Sequence, residues 1–307
     1  MSQPSDPTFR AYSAAQGANY AQYRRNYNPK LYETVLNFHK EGSGQFDTLI
    51  DVGCGPGTAT RSLAPHFKKA YGLDPSEGMI STARSIPTAD NVKFEVSSAE
   101  SLGSELSEPI AEGTVDVITG ATCAHWFDMP RFWEQAAKAL KPGGTVALWT
   151  AADIRVDPSM PGSEAIQAAL DDYNVSVRDY MLPGNLMVRD LYRDLPLPWT
   201  LDSPVPAFEQ SSFVRKEWCT GPDSETQLFE HSPPANLDML EMALGTASPV
   251  TRWREAHPEA VGTEDDVVRR IRRRIEKILN DAGVEKGKEM LTGDMTGVLL
   301  LVRKKGN

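Results

Sequence analysis

The segment LIDVGCGPGTATRSLAPHFKKAYGLD constrains the fold more than any other part of the chain. An apolar run meets Asp51, glycines follow at alternate positions, and a second apolar run ends in Asp74. Glycine adopts backbone angles that side chains forbid, so Gly53, Gly55 and Gly57 predict a tight turn that a ligand can approach closely. Asp74 lies about twenty residues beyond the first glycine, where an acid can accept hydrogen bonds from ribose hydroxyls.

Two nucleotide-like ligands suit such a turn, and the acid before the glycines separates them. Dinucleotide sites use the spacing G-x-G-x-x-G, whereas this chain has G-x-G-x-G followed by Thr58. The carboxylate of Asp51 would repel a pyrophosphate and would suit a cation, such as the amino group of a methionine moiety. The loop therefore favours S-adenosylmethionine (SAM) over NAD, and a purely structural glycine-rich turn is the alternative.

Strand and helix patterns alternate from about Pro29 to Thr150, which predicts parallel strands joined by helical crossovers. Five strand patterns lie in this part of the chain, and SSFVRKEWCT and TGVLLLVRKK predict two more. The expected fold is an α/β, doubly wound, mostly parallel seven-stranded sheet with helices on both faces. The arginine-rich segment EDDVVRRIRRRIEKILNDAG predicts an amphipathic helix.

Charge and cysteine content limit the function classes. A formal net charge of −10 disfavours a broad grip on nucleic acid, so no such partner is expected, with an enzyme that modifies RNA as an alternative. Three widely spaced cysteines fit neither a disulfide framework nor a zinc site, and no metal is expected. No apolar run is long enough to span a bilayer, and the first residues lack a secretory pattern. The expectation is a cytoplasmic monomer or homodimer that acts on a small molecule without a membrane partner.

Four motifs, DVGCGPGTAT, GLDPSEGMI, SSAESL and CAHWFD, together resemble the class I SAM-dependent methyltransferases. Within that superfamily they resemble the fungal trans-aconitate methyltransferase group, most strongly over residues 8–150. The resemblance implies a Rossmann-like methyltransferase fold with helical additions that cover the active site. It also implies methyl transfer to a small-molecule carboxylate such as trans-aconitate, which would form a methyl ester. A fungal secondary metabolite with an oxygen, sulfur or nitrogen acceptor is one alternative, and a SAM-binding protein without catalysis is another.

The resemblance also implies a domain organisation. The expected units are an N-terminal segment or lid (1–28), a SAM-binding Rossmann-like core (29–150), a helical acceptor-binding insertion with a late strand (151–258), and a C-terminal helix and last strand that complete the core (259–307).

Roles for individual residues follow from the same resemblance. The three glycines would surround the methionine part of the cofactor, with Asp51 near its amino group and Asp74 at its ribose. Met79 would pack on the adenine ring, and Ala99 and Glu100 would hold the adenine amino group. Met79 has a structural alternative as a core residue of an amphipathic helix.

Residues 121–123, after the fourth strand, would line the cofactor near its sulfonium, and His125 and Trp126 would face the site of transfer. The early segment YRRNYNP resembles the one that covers the bound cofactor in this group. Trp126 could instead plug the sheet end, and His125 could be a buried structural histidine. The complete implied cofactor set is Tyr20, Arg25, Asp51, Gly53, Gly55, Gly57, Asp74, Met79, Ala99, Glu100 and Thr122.

The acceptor decides which catalytic group is needed. A carboxylate is already ionised near pH 7 and requires no base. A hydroxyl, thiol or amine would make His125 the candidate general base, with Trp126 beside it. A polyanionic acceptor would need arginines, whose planar guanidinium clamps a carboxylate. The candidates are Arg24, Arg25, Arg155, Arg178, Arg252 and Arg254.

Overall fold

The structure is a computed structural model that describes residues 26–219 and 234–306. In these residues the strands form a seven-stranded sheet and a short two-stranded ladder, the latter made by the seventh and eighth strands. In chain order the strands are β1 (Thr48–Val52), β2 (Lys69–Asp74), β3 (Val92–Val96), β4 (Val115–Ala121), β5 (Leu140–Val156), β6 (Phe208–Trp218), β7 (Ala235–Asn236), β8 (Met290–Leu291) and β9 (Gly293–Lys304).

The main sheet has the order β3-β2-β1-β4-β5-β9-β6, and its members from β3 to β5 are parallel. Strand β9 runs antiparallel to both of its neighbours, β5 and β6. The predicted doubly wound, mostly parallel sheet of seven strands is therefore confirmed. The strand order reverses between β1 and β4, and ligands of such sheets bind beside this point at the carboxyl ends of the strands.

The sequence KPGG at 141–144, a composition typical of a turn, lies inside β5. Leu140 pairs with Val115 and Thr145 pairs with Val117, so the extra residues are accommodated as an irregularity in a continuous strand. Gly143, with φ of 76°, supplies the left-handed conformation that a bulge of this kind favours.

The described residues contain short single-turn helices at 64–66, 124–126 and 178–180 in addition to α-helices. The α-helices are α1 (Pro29–Glu41), α2 (Thr58–Leu63), α3 (Glu77–Ser85), α4 (Met129–Ala139), α5 (Ser163–Ser176), α6 (Pro183–Arg189), α7 (Leu237–Gly245), α8 (Ser248–Ala256) and α9 (Val267–Asp281).

Helix α1 shows how local sequence sets these elements. Asn28 caps it, because its side chain accepts a hydrogen bond from the backbone N–H of Lys30 at 2.9 Å. Leu31, Val35 and Phe38 have the spacing of one helical face. They are buried with Leu49, Leu63 and Trp149 on one side of the sheet. Helix α4 covers the other side. The sheet is therefore buried on both faces, as parallel strands require.

The chain between β5 and β9 builds a second apolar core of its own. Helices α5, α7, α8 and α9 contribute to it, with Ile166, Trp253 and Ile271 among its buried members. Strand β4 ends opposite Trp149, so the residues of β5 after Trp149 extend beyond the end of β4. These residues pair with the start of β9 as far as Val156. This two-stranded arm carries the helical insertion at the carboxyl edge of the sheet.

The expected division of the chain into four units stays a prediction. The amphipathic helix that the sequence predicts forms as α9. Its apolar residues, Ile271 and Ile275 among them, belong to the core of the insertion, and it packs against α5 and α7. Of residues 259–306, β9 joins the main sheet, whereas β8 pairs with β7.

Candidate functional site

The glycine loop follows β1 and turns into α2. Gly53, Gly55 and Gly57 all have positive φ, at 63°, 53° and 85°. A Cβ atom added to Gly53 would lie 2.7 Å from Cβ of Cys123, and one added to Gly57 would lie 2.5 Å from the ring of Phe94. A Cβ on Gly55 would meet nothing within 4 Å. The outer two glycines therefore permit close packing, whereas Gly55 presents bare backbone to open space, where a ligand can approach.

Asp51 lies beneath this loop and is completely buried. Its carboxylate oxygens accept hydrogen bonds from the hydroxyls of Thr60, at 2.6 Å, and Thr119, at 2.8 Å. Burial raises the pKa of Asp51 to about 6, against the lowering effect of the two hydroxyls. The carboxylate thus joins β1, α2 and β4, and its charge is solvated by hydroxyl groups. Direct contact with a cofactor amino group stays a prediction.

Asp74 closes the other side of the loop at the end of β2. One of its oxygens accepts a hydrogen bond from the backbone N–H of Gly55 and the other from that of Ser76, each at 2.9 Å. The side chain is 9% exposed. The structure therefore brings together the open glycine and the predicted ribose-binding acid, in an arrangement that suits a nucleoside.

Thr122, which follows β4, has φ of 56°, an uncommon value for a β-branched residue. Its hydroxyl lies 3.1 Å from that of Tyr27, and its backbone N–H donates to the carbonyl of Trp149. The neighbouring Asn26 donates to the hydroxyl of Ser62 on α2 at 3.0 Å. The segment 26–27 therefore bridges the chain after the glycine loop and the chain after β4, on either side of the crevice.

His125 and Trp126 form the single-turn helix after β4, and their rings lie 4.6 Å apart. His125 is buried, and its Nδ1 lies 2.8 Å from the hydroxyl of Tyr192. Helix α6 packs on this turn through Gly184, where an added Cβ would lie 2.5 Å from the Trp126 ring. The insertion therefore covers the predicted transfer site.

The residues assigned to adenine lie on neighbouring elements. Met79 is buried near the start of α3, one turn after the Ser76 that Asp74 binds. Ala99 is buried in the main core, and Glu100 is half-buried. An oxygen of Glu100 accepts the backbone N–H of Asp128 at 2.9 Å, which ties the chain after β3 to the start of α4. Their adenine contacts stay predictions.

Tyr20 and Arg25, also assigned to the cofactor, lie outside the described residues, as does Arg24. Burial raises the pKa of the Cys54 and Cys123 thiols well above the usual value, so both are neutral fillers beside the loop. Among residues 26–219 and 234–306, no group of His, Cys, Asp or Glu side chains is arranged to hold a metal ion. In the same two ranges, no helix combines the length and the apolar character needed to cross a bilayer.

The arginines proposed for an anionic acceptor differ in their partners. Arg254 donates to both oxygens of Asp266, at 2.8 and 3.1 Å, and Arg155 lies 3.8 Å from Asp171. Arg252 donates to the uncharged oxygens of Tyr180, Asn185 and Ser248. Of these three, Arg252 is the one that contacts α6, the helix over the transfer site.

Three groups at the site were missed by sequence reasoning: the hydroxyls beneath Asp51, the Tyr192 phenol and the small residue Gly184. Thr119 and Tyr192 lie 68 and 67 positions from their partners in the sequence, and no local pattern connects them. Of these residues, Thr60 lies within the loop motif, three positions after Gly57.

Comparison with known proteins identifies a domain in this part of the chain. Residues 50–148 match the methyltransferase domain family. A Dictyostelium discoideum protein named as a methyltransferase is 36% identical over 132 residues, which cover 43% of this chain and 46% of the relative. A Saccharomyces cerevisiae protein named as a SAM-dependent methyltransferase is 32% identical over 134 residues, covering 44% and 45%. The chain spans about half the length of these two relatives.

The fold comparison extends further along the chain. A solved structure from Anaeromyxobacter dehalogenans, titled as a type II methyltransferase, superposes with a TM-score of 0.59 at 25% identity. The superposition covers 92% of this chain and 98% of the solved structure. Membership of the trans-aconitate group stays a prediction. The matched family model and the named relatives show that residues 50–148 of this chain are a methyltransferase domain.

Proposed function

We propose that this protein transfers the methyl group of SAM to a small-molecule acceptor held between the glycine loop and the turn of His125 and Trp126. The observation that carries the proposal is the pairing of open backbone at Gly55 with Asp74, which accepts the Gly55 N–H at 2.9 Å. A turn with a purely structural role would not need a glycine with open space beside it, next to an acid at the carboxyl edge of the sheet.

The residues of the crevice fit SAM chemically. When bound, SAM supplies a methyl group on a positively charged sulfur. Asp74, oriented by two backbone N–H groups, would accept the ribose hydroxyls. Asp51 would favour the ammonium end of the methionine, because its oxygens accept hydrogen bonds from two uncharged hydroxyls. Thr122 and Tyr27 would border the reacting end.

Alignment and exclusion of water are the main tasks left to the protein, since methyl transfer is an in-line displacement. Helix α6, seated on Trp126 through Gly184, closes the crevice from the side of the insertion. The hydrogen bond from Asn26 to Ser62 and the contact of Tyr27 with Thr122 close it from the N-terminal side. The acceptor would therefore be limited to a molecule small enough to lie between these two covers.

For the acceptor itself we propose a carboxylate, with trans-aconitate as the first compound to test and a fungal secondary metabolite as the alternative. A carboxylate needs no general base, because it is ionised near neutral pH. Arg252, which contacts Asn185 of α6, supports this choice, since it brings a cation to the helix over the transfer site. A cytoplasmic location and a monomeric or homodimeric state stay predictions.

Isothermal titration calorimetry with SAM tests the cofactor site first. Asp74→Ala should weaken binding at least tenfold, because a hydrogen bond to a charged acceptor contributes about 1.5–3 kcal/mol. Asp90→Ala, an exposed acid in the loop before β3, is the matched control and should bind like the wild type. Equal affinity for all three proteins would show that the site is misplaced.

A radiolabelled SAM assay with single acceptors then tests catalysis. Label should appear in an ester with trans-aconitate or another small carboxylate. Transfer only to a phenolic or thiol compound would favour the secondary-metabolite alternative. Tight SAM binding with no transfer to any acceptor in the panel would favour a SAM-binding protein without catalysis.

A further inference from the structure

The chain immediately after α6 has an unusual backbone. Leu191 and Tyr192 are adjacent, are not glycines, and have φ of 52° and 58°. Such conformations persist only where the surroundings enforce them, and they concentrate at functional sites. The Leu191 carbonyl accepts Arg215 Nη2 at 2.7 Å, and the Tyr192 N–H donates to the Met187 carbonyl at 3.0 Å. These bonds fix the direction in which the Tyr192 side chain leaves the insertion.

The Tyr192 phenol ends against His125 in the interior of the protein. Tyr192 is 2% exposed and His125 is 5% exposed, and the hydroxyl lies 2.8 Å from Nδ1. Burial raises the pKa of the phenol well above its usual value, so the hydroxyl keeps its proton. The contact therefore joins a neutral phenol to an imidazole.

The need of a buried O–H for an acceptor decides the direction of this contact. Within residues 26–219 and 234–306, the hydrogen bond of the Tyr192 hydroxyl is the one with Nδ1 of His125, at 2.8 Å. A neutral phenol carries one O–H, and a buried donor without an acceptor is costly. The O–H is therefore assigned to Nδ1 as its acceptor, and the proton of a neutral imidazole then lies on Nε2.

We propose that Tyr192 is a positioning residue that holds His125 as the Nε2–H tautomer, so that this histidine acts as a hydrogen-bond donor and not as a general base. The proposal rests on the proposed function for the role of His125. It deepens that function, because a site without a base favours an acceptor that is already nucleophilic at neutral pH. Among oxygen acceptors this favours a carboxylate over a hydroxyl, and the carboxylate oxygen can accept a hydrogen bond.

Nitrogen-15 NMR of protein labelled at histidine tests the tautomer directly, without any assay of activity. Long-range proton–nitrogen correlations distinguish Nε2–H from Nδ1–H, and His125→Gln identifies the His125 signals by their loss. The wild type should show Nε2–H near neutral pH, and Tyr192→Phe should show a mixture of tautomers. An Nδ1–H pattern in the wild type would overturn the proposal, even if the phenylalanine variant failed to fold.

Tyr180→Phe is the matched control, because Tyr180 lies in the same insertion with its ring 5.8 Å from that of His257. It should leave the His125 signals unchanged. With a carboxylate acceptor, Tyr192→Phe should lower kcat/KM about tenfold while the SAM dissociation constant stays the same. Equal losses in both variants would indicate a general packing effect and would overturn the positioning role.

The two proposals fail in different experiments. If the wild type does not bind SAM in calorimetry, the proposed function is wrong, whatever tautomer is observed. If SAM binds and the label is transferred only to hydroxyl compounds, with Nδ1 carrying the proton, the inference about Tyr192 is wrong and His125 remains a candidate base.

Discussion

Two buried carboxylates, Asp51 in the sheet core and Asp266 in the helical insertion, are solvated in opposite ways. Asp51 is 0% exposed and accepts hydrogen bonds from two hydroxyls, and burial raises its pKa to about 6. Asp266 is 1% exposed, and both of its oxygens accept hydrogen bonds from Arg254. Burial would raise the pKa of Asp266, but the guanidinium and the Val268 N–H outweigh it and lower the pKa.

The two sites differ in whether the buried carboxylate already has a cationic partner within the fold. The carboxylate of Asp266 has its counter-ion within the fold, and its side chain also caps α9. The carboxylate of Asp51 has polar but uncharged partners beneath a loop that is open at Gly55. A cation that arrives beside Asp51 would therefore gain more than one that arrives beside Asp266.

The largest effect is expected from Arg254→Leu, which leaves the Asp266 carboxylate buried without its cation. We expect a loss of about 3 kcal/mol in the free energy of unfolding, since removal of one partner of a buried ion pair is strongly destabilising. Urea denaturation measures the change. The SAM affinity of the folded fraction should stay the same, because the insertion has its own apolar core.

Two controls sharpen this test. Arg254→Leu with Asp266→Asn should recover most of the lost stability, since asparagine keeps the cap of α9 without the charge. Arg193→Leu breaks the exposed pair with Asp190, 3.7 Å long, and should change stability by no more than about 0.5 kcal/mol. A clear loss of SAM affinity in Arg254→Leu would show that the two regions are coupled.

The next effect concerns Asp51 and depends on pH. The folded pKa, about 6, lies above the ordinary value of 3.8, so this carboxyl stabilises the fold fully only below pH 3.8. That contribution is lost as the pH rises through about 6. Asp51→Asn cannot ionise, so its stability relative to the wild type should rise over this window by roughly 2 kcal/mol. Denaturation at a series of pH values measures it, and a flat difference would contradict the buried charge.

A binding experiment follows from the same carboxylate. If the SAM ammonium lies beside Asp51, it lowers the pKa of this group, and binding near pH 6 must release protons from the wild type. Calorimetry in buffers with different ionisation enthalpies measures the number of protons. Asp51→Asn should bind without this release. Equal proton release in the two proteins would remove Asp51 from the ammonium site.

A smaller effect is expected where the two regions meet, at Gly184. The added methyl group of Gly184→Ala would lie 2.5 Å from the Trp126 ring and 2.9 Å from the carbonyl oxygen of His125, so the ring must move. We expect kcat/KM for the acceptor to fall about tenfold with little change in SAM affinity, since overpacking shifts neighbouring groups. Steady-state kinetics measures both constants.

The controls for this contact use the ring and a remote glycine. Gly184→Ala with Trp126→Phe should regain part of the activity, because the smaller ring leaves room for the methyl group. Gly306→Ala, which meets no atom within 4 Å, should behave like the wild type. If the double variant is no better than the single one, the contact between α6 and Trp126 does not set the acceptor site.

The same contrast explains what could be predicted from sequence. The glycine loop, Asp74 and the alternating strands are local patterns, and the sheet they predict is confirmed. The apolar stripe of α9 predicted a helix with one buried face. Such a stripe does not identify the element against which the helix packs, and in the structure the helix packs in the core of the insertion. His39 shows the same limit, because it is buried against Thr145, 106 positions away in the sequence.

The site residues that sequence reasoning missed share this long-range character. Tyr192 reaches His125 through the left-handed conformations at 191 and 192. The residue types in that segment do not predict these conformations. In the sequence, Gly184 is an ordinary glycine after a proline at the start of a helix. The structure shows why a side chain is excluded there, because an added Cβ would lie too close to the Trp126 ring. Packing between the insertion and the core cannot be inferred from one-dimensional patterns.

The smallest effect is expected on the arginine face of α9. Arg274 pairs with Asp172 at 2.7 Å, and both side chains are about half exposed or more, at 49% and 66%. Such a pair contributes about 0–1 kcal/mol, so Arg274→Gln should barely change the urea midpoint, and salt should remove the remaining difference.

The ion pairs of the arginines on α9 also argue against the alternative of an RNA methyltransferase. Arg269, Arg272 and Arg273 contact carboxylates as well, from 238, 241 and 264, so the face is largely neutralised by the insertion itself. RNA should therefore show no salt-dependent retention in filter binding, and Arg274→Gln should match the wild type. Retention that falls steeply with salt and weakens in the variant would mean that these arginines release their carboxylates for phosphates, and that the insertion binds nucleic acid.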